Sequence, residues 1–292
     1  MRILAPAKIN LYLDIVGVRS DGYHELETIF QTVNLYDSLE IQKAKPPIAL
    51  KVSLPGNLDI SGLEGPQNIV WKAADRFFKK LKISGACKIA IKKNIPIQAG
   101  LGGGSSDGAA VLKALKKIFL KKSGAPQERV LEQAAASLGA DVPFFLKGGC
   151  AFGEGAGEKL SSLPVPKFWA VLVKPKIGLS TREVYGWYDA RPPQKPLTGN
   201  HKIRKMIGLI RLRKSSRDWS DLIYNCFEDV VYSRVPELGR LKRILLAQGA
   251  RNALLSGSGS ALFGLADSKV QGEKIKRAMV RMGLEAWVVR SV

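Results

Sequence analysis

Pro96, Ile97, Gln98, Ala99, Gly100, Leu101, Gly102, Gly103, Gly104, Ser105 and Ser106 run without a break into Asp107-Gly-Ala-Ala-Val-Leu-Lys-Ala-Leu115, whose pattern predicts a helix. Residues without a Cβ let backbone N–H groups come close to a ligand. The first N–H groups of a helix have no partner within it and carry the positive end of its dipole. Together they suit phosphate. The alternative is a flexible turn capped by Ser105 or Ser106. Four glycines and two serines within eleven residues, directly before a helix, favour phosphate.

The kind of phosphate loop follows by elimination. A Walker A loop needs Lys after its last glycine, where this chain has Ser105. A dinucleotide fingerprint follows a buried parallel strand, which is apolar almost throughout. Here the preceding segment, 87–93, puts Cys87, Ile89 and Ile91 on one face and Lys88 and Lys92 on the other. That alternation predicts a half-exposed, antiparallel strand. A third kind of loop is required.

Other residues could join it. Lys8 lies in Ala5-Pro-Ala-Lys-Ile-Asn10, at the start of an alternating strand; alone it reads as a surface lysine. Asp141 precedes Val-Pro143 and reads first as a helix N-cap. Ser256-Gly257-Ser258-Gly-Ser260 is a second small-residue turn, open to a ligand or simply tight. Tyr23 and His24 follow a turn and could stack on a base, or be structural. Phosphoryl transfer needs a phosphate cradle, a cation and a carboxylate that takes the acceptor proton. The loop, Lys8 and Asp141 supply one of each. Neither His24 nor His201 has the context of a nucleophilic triad.

These residues need elements to hold them. Ile9, Leu11, Leu13 and Ile15 alternate as a strand, a turn covers 19–22, and strands are expected at 27–33 and 38–43. Ile69, Ala73, Phe77 and Leu81 recur at helical spacing after Asn68. A second helix is expected at 127–138, and Gly153–Gly157 reads as a flexible connection and domain boundary. Beyond it we expect a strand at 168–173, helices at 220–232 and 238–248, and a strand–turn–strand at 253–263. A helix at 269–282 and a last strand at 285–289 follow. Strands alternating with helices indicate an α+β sandwich.

At 292 residues the chain can bury a substantial core, and 46% hydrophobic residues is ordinary for a globular protein. No apolar run reaches membrane-span length, and Lys8 and Asp14 interrupt the N-terminus where a signal peptide would be apolar. Three well-separated cysteines and two histidines fit neither a disulfide framework nor zinc, which points to a reducing cytoplasm. The net charge of +21 is concentrated in Lys113, Lys116, Lys117, Lys121 and Lys122, and in 191–217, which holds nine Lys/Arg and no acid. That block has no aromatic residue for base stacking, so it reads as a solvated loop or loop-helix. Nucleic-acid binding stays a minority reading.

The loop 96–110 resembles the signature of the GHMP kinases, and Leu254-Leu-Ser-Gly-Ser-Gly-Ser-Ala-Leu-Phe263 resembles their C-terminal glycine motif. Segments 5–13, 19–28 and 138–145 are similar to one branch of that family, which phosphorylates a cytidine-diphosphate-linked methylerythritol in the non-mevalonate isoprenoid route. The resemblance implies an α+β, two-domain fold: a ribosomal-S5-like N-terminal domain (1–157) and a ferredoxin-like C-terminal domain (158–292). It implies ATP as phosphoryl donor, Asp141 as general base and Lys8 assisting. Asn10 would help hold the substrate, 96–106 would wrap the phosphates, and Asn68 would read adenine. Tyr23 and His24 would hold the cytosine, with Tyr185 and Phe30 completing the pocket. Ser256, Gly257 and Ser258 would line the phosphate side. Mg²⁺ follows only from ATP chemistry, since no metal ligand can be named. No membrane partner is expected, and the oligomer is monomer or homodimer. The chain departs from the family at Gly108, where alanine is usual. Inside a first turn that exchange costs up to about 1 kcal/mol. Another GHMP kinase, acting on homoserine or mevalonate, is the competing reading within the class.

Overall fold

A computed structural model describes residues 1–20, 22–55, 63–120, 124–191 and 201–292. Asp21 of the expected turn, Lys121 and Lys122, and 192–200 of the basic block lie outside the described residues. In chain order the elements are β1 (Arg2–Val18), β2 (His24–Ala44), β3 (Ala49–Ser53), α1 (Ile69–Leu81), β4 (Ala86–Lys92), α2 (Gly103–Phe119), α3 (Ala125–Leu138), α4 (Val142–Lys147), β5 (Cys150–Glu154), β6 (Lys159–Leu163) and β7 (Trp169–Lys174). There follow α5 (Thr181–Asp189), α6 (His201–Arg211), α7 (Ser216–Trp219), β8 (Tyr224–Asn225), α8 (Glu228–Arg234), α9 (Pro236–Ala247), β9 (Ala253–Leu255), β10 (Leu262–Ala266), α10 (Lys269–Arg281) and β11 (Glu285–Arg290). The α+β class is as expected.

The chain forms two compact units, each discontinuous in sequence. One comprises 1–7, 35–95 and 102–148; the other comprises 8–34, 96–101 and 149–292. Strands β1 and β2 each contribute residues to both units.

In the first unit, β4 pairs antiparallel with Ser38–Ala44 of β2 and parallel with β3. Its buried Cys87, Ile89 and Ile91 alternate with exposed Lys88, Ala90 and Lys92, so the period-two reading holds while one of the two pairings is parallel. Helix α1 buries Val70, Ala73, Ala74, Phe77 and Phe78, the spacing of one helical face, against α2 and α3. Helix α2 begins at Gly103, four residues before the expected start, so both serines lie inside it. Gly108 is therefore in the second turn. A Cβ there would sit 3.3 Å from Ile69 Cγ1, so the glycine lets α1 and α2 approach closely rather than loosening a helix start.

In the second unit, Thr28–Gln31 of β2 pairs with β5, which pairs in turn with β6. Gly153 lies in β5 and Gly155 and Gly157 form its hairpin turn, so this stretch is not a linker. An antiparallel sheet ordered β11-β7-β10-β9 carries α10 and α9. The single helix expected at 220–232 is broken: Tyr224 and Asn225 pair in parallel with Tyr12 and Leu13 of β1 before α8 begins. Most of the described part of the basic block is helix α6, which buries Ile203, Met206 and Ile210 and exposes Lys202, Arg204, Lys205 and Arg211.

Candidate active site

Lys8 and Asn10 are one strand period apart on β1, and both are buried. A buried ammonium is costly without polar partners. Lys8 Nζ donates to Asn10 Oδ1 at 2.7 Å and lies 5.4 Å from the centre of the Phe30 ring. Asn10 Nδ2 donates to Thr28 Oγ1 at 2.9 Å, and that hydroxyl donates to Tyr12 O at 2.7 Å. The side chains are thus oriented from both ends.

The glycine loop reaches the same place from the backbone. Lys8 N donates to Leu101 O at 3.0 Å, and Ala261 N to Ala99 O at 3.2 Å. Gly100 has φ 71°, and a Cβ on it would lie 2.0 Å from Ser256 O. No side chain fits there. Ser256 Oγ donates to Gly100 O at 3.1 Å. A Cβ on Gly257 would meet Gly100 O at 3.2 Å, Asn10 Oδ1 at 3.3 Å and Lys8 Nζ at 3.4 Å. The two glycine turns and the Lys8–Asn10 pair therefore form one assembly within the second unit. Ser258 Oγ, beyond it, is 3.1 Å from Thr181 Oγ1. Ala99 and Leu101 are buried, Pro96 half-buried and Ile97 exposed, and Gln98 takes a left-handed φ of 51°.

The remaining loop residues belong to the first unit. Gly102 is the N-cap of α2 in the left-handed region (φ 69°), and no side chain caps this helix. Capping by Ser105 or Ser106 is thereby excluded. The first-turn N–H groups of Gly103, Gly104 and Ser105 have no partner inside the helix by its geometry, the arrangement suited to an anion. Behind them lies a group absent from the sequence reading. Lys93 Nζ bonds Asp37 Oδ2 and, at 2.6 Å, Asp107 Oδ2. Asp37 Oδ1 accepts from Asn94 N and Ile95 N at 2.5 and 2.8 Å. Burial, opposed by Lys93 and reinforced by Asp37, pushes the Asp107 carboxyl up to about 7. Its sequence signal was an acid on the face of α2 that carries Ala110, Val111 and Ala114 inward.

Asp141 occupies the N-cap position of α4 with helical backbone (φ −79°, ψ −17°), and its side chain does not cap. The cap role favoured from sequence is absent, although Pro143 sits in the first turn as expected. Asn68 does cap: Oδ1 accepts from Val70 N at 2.9 Å and Nδ2 donates to Leu63 O at 2.7 Å, so both ends of the amide are engaged locally.

His24 and Tyr185 come together, ring centres 5.0 Å apart, while Tyr23 is 66% exposed. His24 Nε2 lies 2.8 Å from Asp189 Oδ1. Tyr185 and Tyr188 pack on Phe227, and Arg191 stacks over Tyr188 at 3.7 Å. Tyr188 and Asp189 were missed because α5 was not read, its Ser180–Glu183 capping box being the available signal, and Phe227 because it was placed inside the helix expected at 220–232.

Residues 68–149 match the family model of the GHMP kinases N terminal domain, and 206–283 that of the GHMP kinases C terminal domain. The chain is 39% identical over 298 residues to a 4-diphosphocytidyl-2-C-methyl-D-erythritol kinase of Desulfitobacterium hafniense, covering 100% of this chain and 96% of that protein. A relative of the same name in Geobacter sp. is 42% identical over 274 residues, covering 92% and 90%. The chain belongs to the GHMP kinase family. A crystal structure of 4-(cytidine 5'-diphospho)-2C-methyl-D-erythritol kinase superposes on this GHMP kinase with a TM-score of 0.79 at 33% identity, covering 100% and 99% of the two chains. A homoserine kinase from Cytophaga hutchinsonii gives a TM-score of 0.74 at 18% identity, covering 100% and 94%, a likeness of fold. As a GHMP kinase the chain is an ATP-dependent phosphotransferase. Among the described residues no helix is long and apolar enough to cross a membrane, and no three His, Cys, Asp or Glu side chains group to hold a metal.

Proposed function

We propose that this kinase transfers the γ-phosphoryl group of ATP to the 2-hydroxyl of 4-diphosphocytidyl-2-C-methyl-D-erythritol, in the non-mevalonate route to isoprenoid precursors. The observation that carries the reading is the packing of Gly100 and Gly257 around the buried Lys8–Asn10 pair. It explains why both glycine motifs must lack side chains at those positions. The acceptor is supported by the names of relatives that match over nearly their whole length.

In the proposed reaction the hydroxyl oxygen attacks the γ-phosphorus, its proton passes to Asp141, and the bond to the β-phosphate oxygen breaks to release ADP. Lys8 lowers the proton affinity of the hydroxyl, and Asn10 orients Lys8 and contacts the substrate. Residues 96–106 wrap the phosphates, and Ser256, Gly257 and Ser258 line the phosphate side. Asn68 is assigned to adenine, and Tyr23, His24, Phe30 and Tyr185 to cytosine. Mg²⁺ accompanies the nucleotide. Of the Asp107 carboxylate, Oδ2 is held by Lys93 while the buried Oδ1 has no hydrogen-bond partner among the described residues. We assign the domain boundary to 157/158, between the two family-model matches, and the protein to a reducing cytoplasm, where its three buried cysteines stay free.

Turnover of ATP measured with the cytidine-diphosphate alcohol, homoserine and mevalonate tests the acceptor; only the first should support a rate. Asp141→Asn should keep nucleotide binding by calorimetry while kcat falls by at least about 10²-fold. A rate with mevalonate alone, or salt-dependent RNA binding without ATP turnover, overturns the reading.

A further inference from the structure

We infer that Asn225 is a positioning residue for phosphoryl transfer, fixing the Leu255–Gly257 turn against the Lys8–Asn10 pair. The inference rests on the role proposed for Lys8. Asn225 is 2% exposed, and such burial of an amide is costly unless its polar atoms are satisfied. All its side-chain bonds go to backbone. Nδ2 donates to Leu255 O and to Gly257 O, each at 2.8 Å, and Oδ1 accepts from Phe227 N at 3.0 Å. The two carbonyls it holds straddle Ser256, whose hydroxyl bonds Gly100 O. Glu228 takes the remaining polar group of Leu255, accepting from its N–H at 3.0 Å, and is itself held by Tyr232 Oη and Lys242 Nζ.

The connection closes on itself. Asn225 lies on β8, paired with Leu13 of the strand that carries Lys8 and Asn10. From β8 its side chain reaches Gly257, and the Cα of Gly257 faces Lys8 Nζ and Asn10 Oδ1 so closely that a Cβ would be 3.4 and 3.3 Å from them. Movement of that turn therefore changes the space beside the Lys8 ammonium. Lys8, in turn, donates to Asn10, whose amide is tied through Thr28 back to the backbone of Tyr12, next to the β8 pairing. One path from Lys8 thus leads through Gly257 to Asn225, and the other ends at Tyr12, whose partner on β8 is the neighbouring Tyr224. Packing alone does not require this; an apolar side chain fills the same volume without two donors aimed at one turn.

The test is a double-mutant cycle on the purified full chain, with rates per folded site from single-turnover assays at excess enzyme. Asn225→Ala should lower the phosphoryl-transfer rate by about 10- to 100-fold, the scale expected for a sub-ångström to ångström misplacement, while KM for ATP and for the alcohol changes less than about threefold. Asn225→Asp keeps the size and the acceptor but loses the donors, so it should be at least as slow. In a Lys8→Gln background, Asn225→Ala should cost nothing further, within about threefold, because its effect passes through Lys8. An additive loss in that background overturns the inference, as does a wild-type rate for Asn225→Ala or an effect confined to KM. Full activity of Lys8→Gln alone overturns the assignment of Lys8 itself. If Asn225→Ala does not accumulate folded, Asn225→Ser, which keeps one donor, enters the same cycle with the same outcomes.

Discussion

At the scale of single residues, glycine identity carries most of the site's chemistry, and the structure separates glycines that look alike in sequence. Gly100 has both a left-handed backbone and a carbonyl at 2.0 Å from any Cβ, whereas Gly104 would place its Cβ 3.6 Å from Ile69. The first is a steric requirement; the second is ordinary contact. Gly100→Ala must therefore push the loop away from Ser256, and we expect nucleotide affinity measured by calorimetry to fall by at least about tenfold, roughly 1.4 kcal/mol. Unchanged affinity would mean that the loop does not depend on its seat at Ser256. Asp141 illustrates the reverse problem. Its sequence context matches a cap, yet its side chain does not cap α4, and only comparison with the family directs attention to its carboxylate.

At the scale of elements, α2 has no capping side chain and is anchored by a charge cluster through Asp107 in its second turn. Lys93, Asp37 and Asp107 tie the segment that enters the glycine loop to the helix that leaves it. Two carboxylates share one ammonium in a buried place, so one carries a surplus negative charge, and the Asp107 carboxyl is raised from its ordinary value of 3.8 to about 7. The folded state then binds a proton that the unfolded chain has already lost. Stability conferred relative to a neutral residue is lost as pH rises from about 4 to about 7, and the loss is complete above that. Asp107→Asn should therefore unfold at higher denaturant than wild type at pH 8, with the advantage shrinking steadily toward pH 4.5. A constant difference across that range would assign the cluster a different charge state. Lys93 was read as the end of a strand and Asp107 as an ordinary helix residue, because neither period-two nor helical spacing reports a partner across the fold.

At the scale of the whole molecule, a net charge of +21 would draw an anionic substrate such as ATP toward the protein. Attraction of that kind is screened by salt, with a Debye length of about 10 Å at 0.1 M and about 3 Å at 1 M. We expect kcat/KM for ATP to fall as potassium chloride rises, with kcat itself nearly level; a salt-independent kcat/KM would mean that the charge serves no capture role.

Strand alternation, the caps of α1 and α5, and the two glycine motifs with their family were determined by the sequence, because each depends on neighbours within a few residues. Tertiary structure decided what those motifs touch. Gly100 meets Ser256, Asn225 reaches Leu255 and Gly257, and Lys93 joins Asp37 to Asp107, contacts between segments that no local period encodes. The break in the helix expected at 220–232 has the same origin: β1 recruits Tyr224 and Asn225 as strand partners, and that pairing overrides the local helical pattern.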